Sequence, residues 1–134
     1  MGQRQKRSYR DAMSLITFGV VALDCPDPHA LAGFYAGVLG WQVTGGDDEW
    51  VEVAGPDGRT LAFQRVADYR PPQWPGQDVP QQLHLDFDVP RAKIDEAERT
   101  IVALGAKLVQ HDDGKRDWRV YLDPAGHPFC LCLR

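Results

Sequence analysis

The sequence predicts an α+β fold made of two tandem βαβββ modules. Three observations lead to this prediction. Short strand-like runs are interrupted by two helical patterns, the second half of the chain repeats the first after about 65 residues, and a proline-rich segment separates the halves. We therefore expect a single domain over residues 14–134, with module one at 14–68, a linker at 69–81 and module two at 82–134.

Module one opens with a strand-like run and a helical pattern. Residues 14–23, SLITFGVVAL, are apolar and β-branched and predict a strand that is buried on both faces. Residues 27–40 predict a helix with Asp27 as its N-cap, Pro28 at its first position and Gly40 at its C-terminal stop. Three more strands are predicted over WQVTG, WVEVAG and TLAFQRV, with Gly-, Asp- and Pro-rich turns between them.

Module two follows the same order. Residues 82–89, QLHLDFDV, predict a strand, residues 91–105 predict a helix, and AKLVQ, WRVYL and PFCLCL predict three more strands. Side chains of a strand alternate between its two faces. In the first strand His84 and Asp86 therefore lie opposite a set of large apolar residues, Leu83, Leu85, Phe87 and Val89. In the last strand Cys130 and Cys132 lie opposite Phe129, Leu131 and Leu133.

The two modules also match residue by residue. ALDCP aligns with DFDVP, VLGWQV with ALGAKL, and EWVEVAGPDGRTLAF with DWRVYLDPAGHPFCL. A repeat of this length constrains the fold more strongly than any single motif in the chain. The matched pairs are Asp24 with Asp88, Pro26 with Pro90, Trp50 with Trp118, Pro56 with Pro124 and Gly58 with Gly126.

Composition and charge limit the classes of function. The chain has 134 residues, of which 43% are hydrophobic, as expected for one core. No apolar run approaches the roughly 18 residues that cross a membrane, and no secretory signal pattern opens the chain. We expect a cytoplasmic protein whose three cysteines stay reduced.

The charge is unevenly distributed along the chain. The first ten residues carry four basic and no acidic side chains, whereas the whole chain has a net charge of -4. An acidic body repels nucleic acid and anionic membranes, so we expect neither as a partner. Residues 1–13 are interpreted as a flexible basic extension; the alternative, a nucleic-acid-binding arm, is disfavoured because the four charges show no periodicity.

These features together resemble a known superfamily. The segments DCPDPHALAGFYAGVLGW in module one, and HLDF and DPAGHPF in module two, are similar to those of the vicinal oxygen chelate superfamily, in particular its glyoxalase-like and bleomycin-resistance-like members. The resemblance extends over residues 15–134. It implies a cupped mixed sheet that encloses a small-molecule site, with the helices on its outer face, and it implies a homodimer.

In such a cup the small and polar faces of the strands line the ligand site. Trp50 and Trp118, which the repeat matches, are expected to form aromatic walls. His84 is the candidate catalytic residue, because histidine transfers protons near neutral pH; the alternative is a relic that hydrogen-bonds Asp86 or a backbone carbonyl. The predicted ligand-binding residues are Val20, Trp50, Ala62, Gln64, His84, Asp86, Trp118 and Cys130.

The resemblance also implies where a metal would bind. Metal-dependent relatives use the first and fourth strands of each module, and the matching positions are Val20, Ala62, His84 and Cys130. Only His84 is a good ligand, so we expect neither a metal nor another cofactor. A rearranged site of His84, Asp86 and Cys130 is the alternative. Cys130 is interpreted as a small buried thiol, and a nucleophile activated by His84 is the alternative.

Two classes of function stay open. The first is a protein that binds a small aromatic or carbonyl compound without a complete metal site, as resistance proteins of the superfamily do. The second is a divergent glyoxalase-like lyase or isomerase that uses His84 with a non-standard or partner-completed metal site; a purely structural role is a third, less favoured option. The linker DYRPPQWPGQ is interpreted as a stiff spacer anchored by Trp74, with a lid over the cup as the alternative.

Overall fold

The computed structural model describes residues 14–134; residues 1–13, the predicted basic extension, lie outside this part. Within it the chain forms eight strands and two α-helices. The strands are β1 (Val21–Cys25), β2 (Gln42–Gly46), β3 (Trp50–Ala54), β4 (Thr60–Arg65), β5 (Leu85–Val89), β6 (Lys107–Gln110), β7 (Trp118–Leu122) and β8 (Pro128–Leu133). The helices are α1 (Pro28–Leu39) and α2 (Ile94–Leu104). No helix of the described residues is long and apolar enough to cross a membrane.

The strands form two four-stranded mixed sheets, one in each module. Their orders are β1-β4-β3-β2 and β5-β8-β7-β6, and in each sheet the first strand of the module runs parallel to the fourth. Val21 lies opposite Leu61 in module one, and Leu85 lies opposite Phe129 in module two, positions that the repeat aligns. The predicted α+β fold of two βαβββ modules is therefore confirmed.

Helix α1 begins and ends where local signals predict. Oδ1 of Asp27 accepts a hydrogen bond from the backbone N–H of Ala30 at 3.3 Å, and Pro28 occupies the first turn. Gly40 ends the helix with a φ of 69°, a left-handed conformation that glycine adopts without steric cost. Helix α2 begins later than predicted because Arg91–Lys93 form a separate 3-10 turn.

The two modules share one hydrophobic core beneath the helices. Tyr35 of α1 stacks on Phe63 of module one, with ring centroids 5.6 Å apart, and also contacts Phe87 of module two at 6.1 Å. Phe129 of β8 packs against Phe34 of α1 at 6.0 Å. The apolar side chains of both sheets therefore pack against the same helices, and the opposite sheet faces point away from this core.

The first strand of each module is shorter than predicted. β1 begins at Val21, so the predicted burial of the preceding residues on both faces is wrong. β5 begins at Leu85, and Leu83, which was expected beneath the helices, is about half exposed. Pairing with the fourth strand starts only at these two positions, and the backbone before them has no ladder partner within residues 14–134. The exposed apolar residues before β1 are Leu15, Ile16 and Phe18, each at least 84% exposed.

Candidate functional site

A cavity of about 530 Å³ lies on the face of the module two sheet that points away from the helices. Its volume suits a small organic molecule. Strand residues in its lining are Asp86, Trp118, Val120, Pro128, Cys130 and Cys132. The linker and the ends of strands add Trp74, Gln81, His84, Asp117 and Arg134.

Strand alternation explains why polar and small side chains meet in this cavity. Asp86 and Cys130 lie opposite each other in the parallel pairing of β5 with β8, and both line the cavity. Phe87 and Leu131, one residue further along each strand, pack into the core or against it. His84 lies two residues before Asp86 and also lines the cavity, as the alternation predicts.

His84, Asp86 and Cys130 form a compact polar cluster on the cavity floor. Nε2 of His84 lies 3.2 Å from Oδ1 of Asp86. The ligand atoms of the three residues all lie within 4.8 Å of one another. The side chains of His84 and Asp86 are about half exposed, whereas Cys130 is buried. The cluster can therefore contact a bound molecule through two polar groups that solvent already reaches.

The environment of Cys130 argues against a nucleophilic role. Burial, together with the negative charge of Asp86 and a hydrogen bond to it, raises the pKa of the Cys130 thiol to about 12. Burial also raises the pKa of Cys132. Only the thiolate is a strong nucleophile, and a thiol with so high a pKa stays protonated at neutral pH. The geometry therefore favours the interpretation of Cys130 as a buried thiol.

Two tryptophans form the aromatic part of the cavity. Trp118, at the start of β7, keeps 44% of its surface exposed in the open cavity. Trp74 comes from the linker and packs against Val120, Cys130 and Cys132. The aromatic wall opposite the strand residues is therefore supplied by the linker within the same chain.

The linker is fastened at both ends of the segment that carries Trp74. Its Tyr69 hydroxyl donates a hydrogen bond to the backbone oxygen of Ala125 at 2.8 Å. The backbone N–H of Gln73 donates to the oxygen of Val79 at 2.6 Å and closes a compact loop. These contacts favour an anchored spacer over a lid, and they place Trp74 in the cavity wall.

Gln81, whose residue lines this cavity, has a buried polar atom without a partner. Its Oε1 is the one buried side-chain nitrogen or oxygen of the described residues that has no hydrogen-bond partner. A buried acceptor without a donor costs about 1–3 kcal/mol. Sequence analysis missed Gln81 because the linker has no periodicity that assigns its side chains to a face.

Sequence analysis also missed two charged residues at the cavity rim. Nε of Arg134 lies 3.1 Å from Oδ1 of Asp88, and Asp117 pairs with Arg91 at 2.8 Å. A signal for Arg134 was present, because it continues the alternation that places Cys130 and Cys132 in the cavity. Asp117 and Arg134 are each already paired with a residue of opposite charge. The carboxylate of Asp86, in contrast, is paired only with His84 among the ion pairs of the described residues.

Half of the predicted ligand-binding residues lie elsewhere. Trp50, Ala62 and Gln64 belong to the module one sheet, and Val20 precedes β1. None of these four described residues lines the cavity. The expectation that Trp50 and Trp118 flank one pocket is therefore not met within the chain. The physical reason is that the modules form separate sheets, so that positions matched by the repeat lie on different sheets.

The metal positions implied by the resemblance do not fit a metal in this chain. Val20 and Ala62 have no ligand atoms in their side chains and lie outside the cavity. His84 and Cys130 alone supply two ligands, whereas a catalytic zinc site has three protein ligands. Asp86 supplies a third ligand atom close to these two, from a position that the family pattern does not use.

The fold is that of the vicinal oxygen chelate superfamily. The sequence model of the glyoxalase-like domain matches residues 20–132, and the chain belongs to this family. Comparison with curated protein sequences gave no significant match.

Solved structures with this fold are numerous. A glyoxalase-related enzyme from Fulvimarina pelagi is 21% identical and has a TM-score of 0.68, with 90% of this chain and 89% of that chain covered. A glyoxalase/bleomycin resistance protein/dioxygenase family enzyme from Burkholderia phytofirmans PsJN is 18% identical, with a TM-score of 0.64 and coverage of 84% and 94%. A glyoxalase/bleomycin resistance protein from Albidiferax ferrireducens T118 is 19% identical, with a TM-score of 0.61 and coverage of 87% and 98%.

Proposed function

We propose that the chain binds a small aromatic compound in the module two cavity. The observation that carries the proposal is the meeting, in one cavity, of two tryptophans, Trp74 and Trp118, with the half-exposed carboxylate of Asp86. Aromatic rings favour offset or edge-to-face contact with other rings, which contributes about 0.5–1.5 kcal/mol beyond the buried area. A planar ligand with a hydrogen-bond donor at its edge meets both requirements.

The charges of the cavity support a neutral or weakly cationic ligand. The carboxylate of Asp86 is an acceptor, so that a ligand hydroxyl or amine is favoured over a second acceptor. Arg134 is paired with Asp88 and is therefore a weaker partner for an anion. His84 can donate to a ligand carbonyl. Phenols, anilines and aromatic hydroxyaldehydes are the ligand classes that fit.

A divergent glyoxalase-like lyase or isomerase is the second candidate function. His84 pairs with Asp86 at 3.2 Å, and such a pairing orients an imidazole ring for proton transfer. Solved relatives include a glyoxalase-related enzyme and a protein described as oxidase ChaP-H2. Turnover that is lost in His84→Ala, while ligand binding is retained, would favour this candidate over a binding protein.

Replacing Trp118 by alanine should weaken ligand binding by about 1–3 kcal/mol, the usual cost of removing a buried aromatic anchor. A screen of phenols, anilines and aromatic aldehydes by ligand-observed NMR on metal-free protein supplies the probe, and tryptophan fluorescence gives its affinity. Trp50→Ala is the matched control, because the repeat aligns Trp50 with Trp118 but Trp50 lies outside the cavity. The proposal fails if no compound of these classes binds, or if Trp50→Ala weakens binding as much as Trp118→Ala.

We further propose that the chain forms a homodimer. The apolar segment before β1 has no covering partner in the described chain, and exposed apolar segments next to open strand edges favour association. Sedimentation velocity at micromolar concentrations should show a dimer, and Phe18→Glu should shift it towards monomer. Val43→Glu, a change at an exposed apolar position of β2, is the control. A monomer throughout the micromolar range would refute the proposal.

A further inference from the structure

We infer that His84, Asp86 and Cys130 form a binding site for zinc or a similar transition-metal ion. The inference deepens the proposed function, on which it rests for its location, because the three residues lie on the floor of the same cavity. It departs from the sequence-based expectation that no metal binds. All three residues belong to module two, so this site needs no ligand from module one.

The distances are close to those of a metal site. A catalytic zinc site takes three protein ligands, and bond lengths of about 2.0–2.3 Å place tetrahedral ligand atoms about 3.3–3.8 Å apart. His84 Nε2 and Asp86 Oδ1 are 3.2 Å apart, and the ligand atoms of the three residues all lie within 4.8 Å of one another. The pair of His84 and Asp86 therefore already has the spacing of two metal ligands, and the upper limit of 4.8 Å leaves the Cys130 sulfur close to that range.

The donor atoms select the kind of metal. A thiolate, an imidazole and one carboxylate form a mixed set that suits zinc, cobalt or nickel. Magnesium and calcium prefer oxygen ligands throughout, and a single carboxylate is a poor site for them. Binding replaces the thiol proton of Cys130 by the metal and releases that proton to solvent, with no change of oxidation state.

Two further features point to an occupant at this place. Among the ion pairs of residues 14–134, Asp86 is paired only with His84, so its charge is available to a cation. The side chains of His84 and Asp86 are also about half exposed, so an ion from solvent can reach both of them. The group of His111 and Asp112 differs, because Asp112 is already bound by the buried Arg119.

Metal titration of the whole chain tests the inference. After treatment with a chelator, the protein should bind about one equivalent of Zn²⁺ per chain in competition with a chromophoric chelator. Co²⁺ should give the intense visible bands of a tetrahedral site together with a thiolate-to-metal charge-transfer band. Cys130→Ser should abolish the charge-transfer band, and His84→Ala and Asp86→Asn should each weaken affinity by about tenfold or more.

Cys132→Ser is the matched control, because Cys132 lies on the same strand and lines the same cavity but is outside the three-residue cluster. It should keep the charge-transfer band and the affinity of the unchanged chain. Absence of Zn²⁺ and Co²⁺ binding, or a band that survives Cys130→Ser, would overturn the inference. Asp86→Asn changes an exposed side chain and tests the site even if Cys130→Ser impairs folding. Binding of the aromatic ligand is measured on metal-free protein. The proposed aromatic-ligand binding and the inferred metal binding can therefore be refuted independently of each other.

Discussion

Replacing Arg119 by alanine should lower the free energy of unfolding by about 3–5 kcal/mol, because it breaks an ion pair with Asp112 in which both residues are buried. Arg119 lies on β7 with only 4% of its surface exposed. Its guanidinium contacts Asp95 and Glu98 at 3.0 Å each, and its Nε donates to Asp112. The guanidinium of Arg119 therefore links helix α2 and the segment before β7 to the module two sheet.

The surroundings of Arg119 explain why the expected loss is large. Asp112 also accepts a hydrogen bond from the backbone N–H of Gly114, and this bond, with that from Arg119, lowers the pKa of Asp112 to about 2. The hydrogen bond from Gly114 remains when Arg119 is removed, and it continues to favour the charged carboxylate. Glu98 accepts a second bond from the hydroxyl of Tyr121 at 2.8 Å, so the substitution also disturbs a buried tyrosine.

Arg65→Ala is the control for this prediction. Arg65 pairs with Glu49 at 3.3 Å, but both side chains are more than half exposed, and exposed pairs contribute about 0–1 kcal/mol. Urea denaturation of both variants at one protein concentration measures the difference. Equal losses for Arg119→Ala and Arg65→Ala would show that the buried network contributes no more than a surface pair.

Local signals in the sequence account for much of the fold. The cap of α1 could be predicted because Asp27, Pro28 and Gly40 act within one turn of the helix ends. The placement of His84 and Asp86 away from the core could be predicted because strand alternation has a period of two residues. These predictions depend on nearest neighbours in the chain.

Long-range features could not be predicted in the same way. The start of β1 depends on where β4 pairs with it, which is decided about 40 residues away. The position of Trp50 relative to Trp118 depends on how the two sheets are arranged, and no local pattern encodes that arrangement. Gln81 enters the cavity because the linker folds back over module two, a path that hydrogen bonds of Tyr69 and Gln73 fix.

Replacing Phe129 by alanine should lower the free energy of unfolding by about 3–5 kcal/mol, the usual cost of deleting a buried phenylalanine ring. Phe129 is fully buried on β8. Its ring contacts Tyr121 and Phe87 of module two, at centroid distances of 5.5 and 5.9 Å. It also contacts Phe34 and Tyr35 of module one, at 6.0 and 6.1 Å.

Because this one ring packs against both modules, its loss should destabilise the chain as a whole. Far-UV circular dichroism and tryptophan fluorescence should report one shared urea transition, shifted to lower urea for Phe129→Ala. Val102→Ala, which trims a side chain of α2 that is 45% exposed, should change stability by about 0.5 kcal/mol or less. Two separate transitions in Phe129→Ala would mean that the modules unfold independently and that the shared core does not couple them.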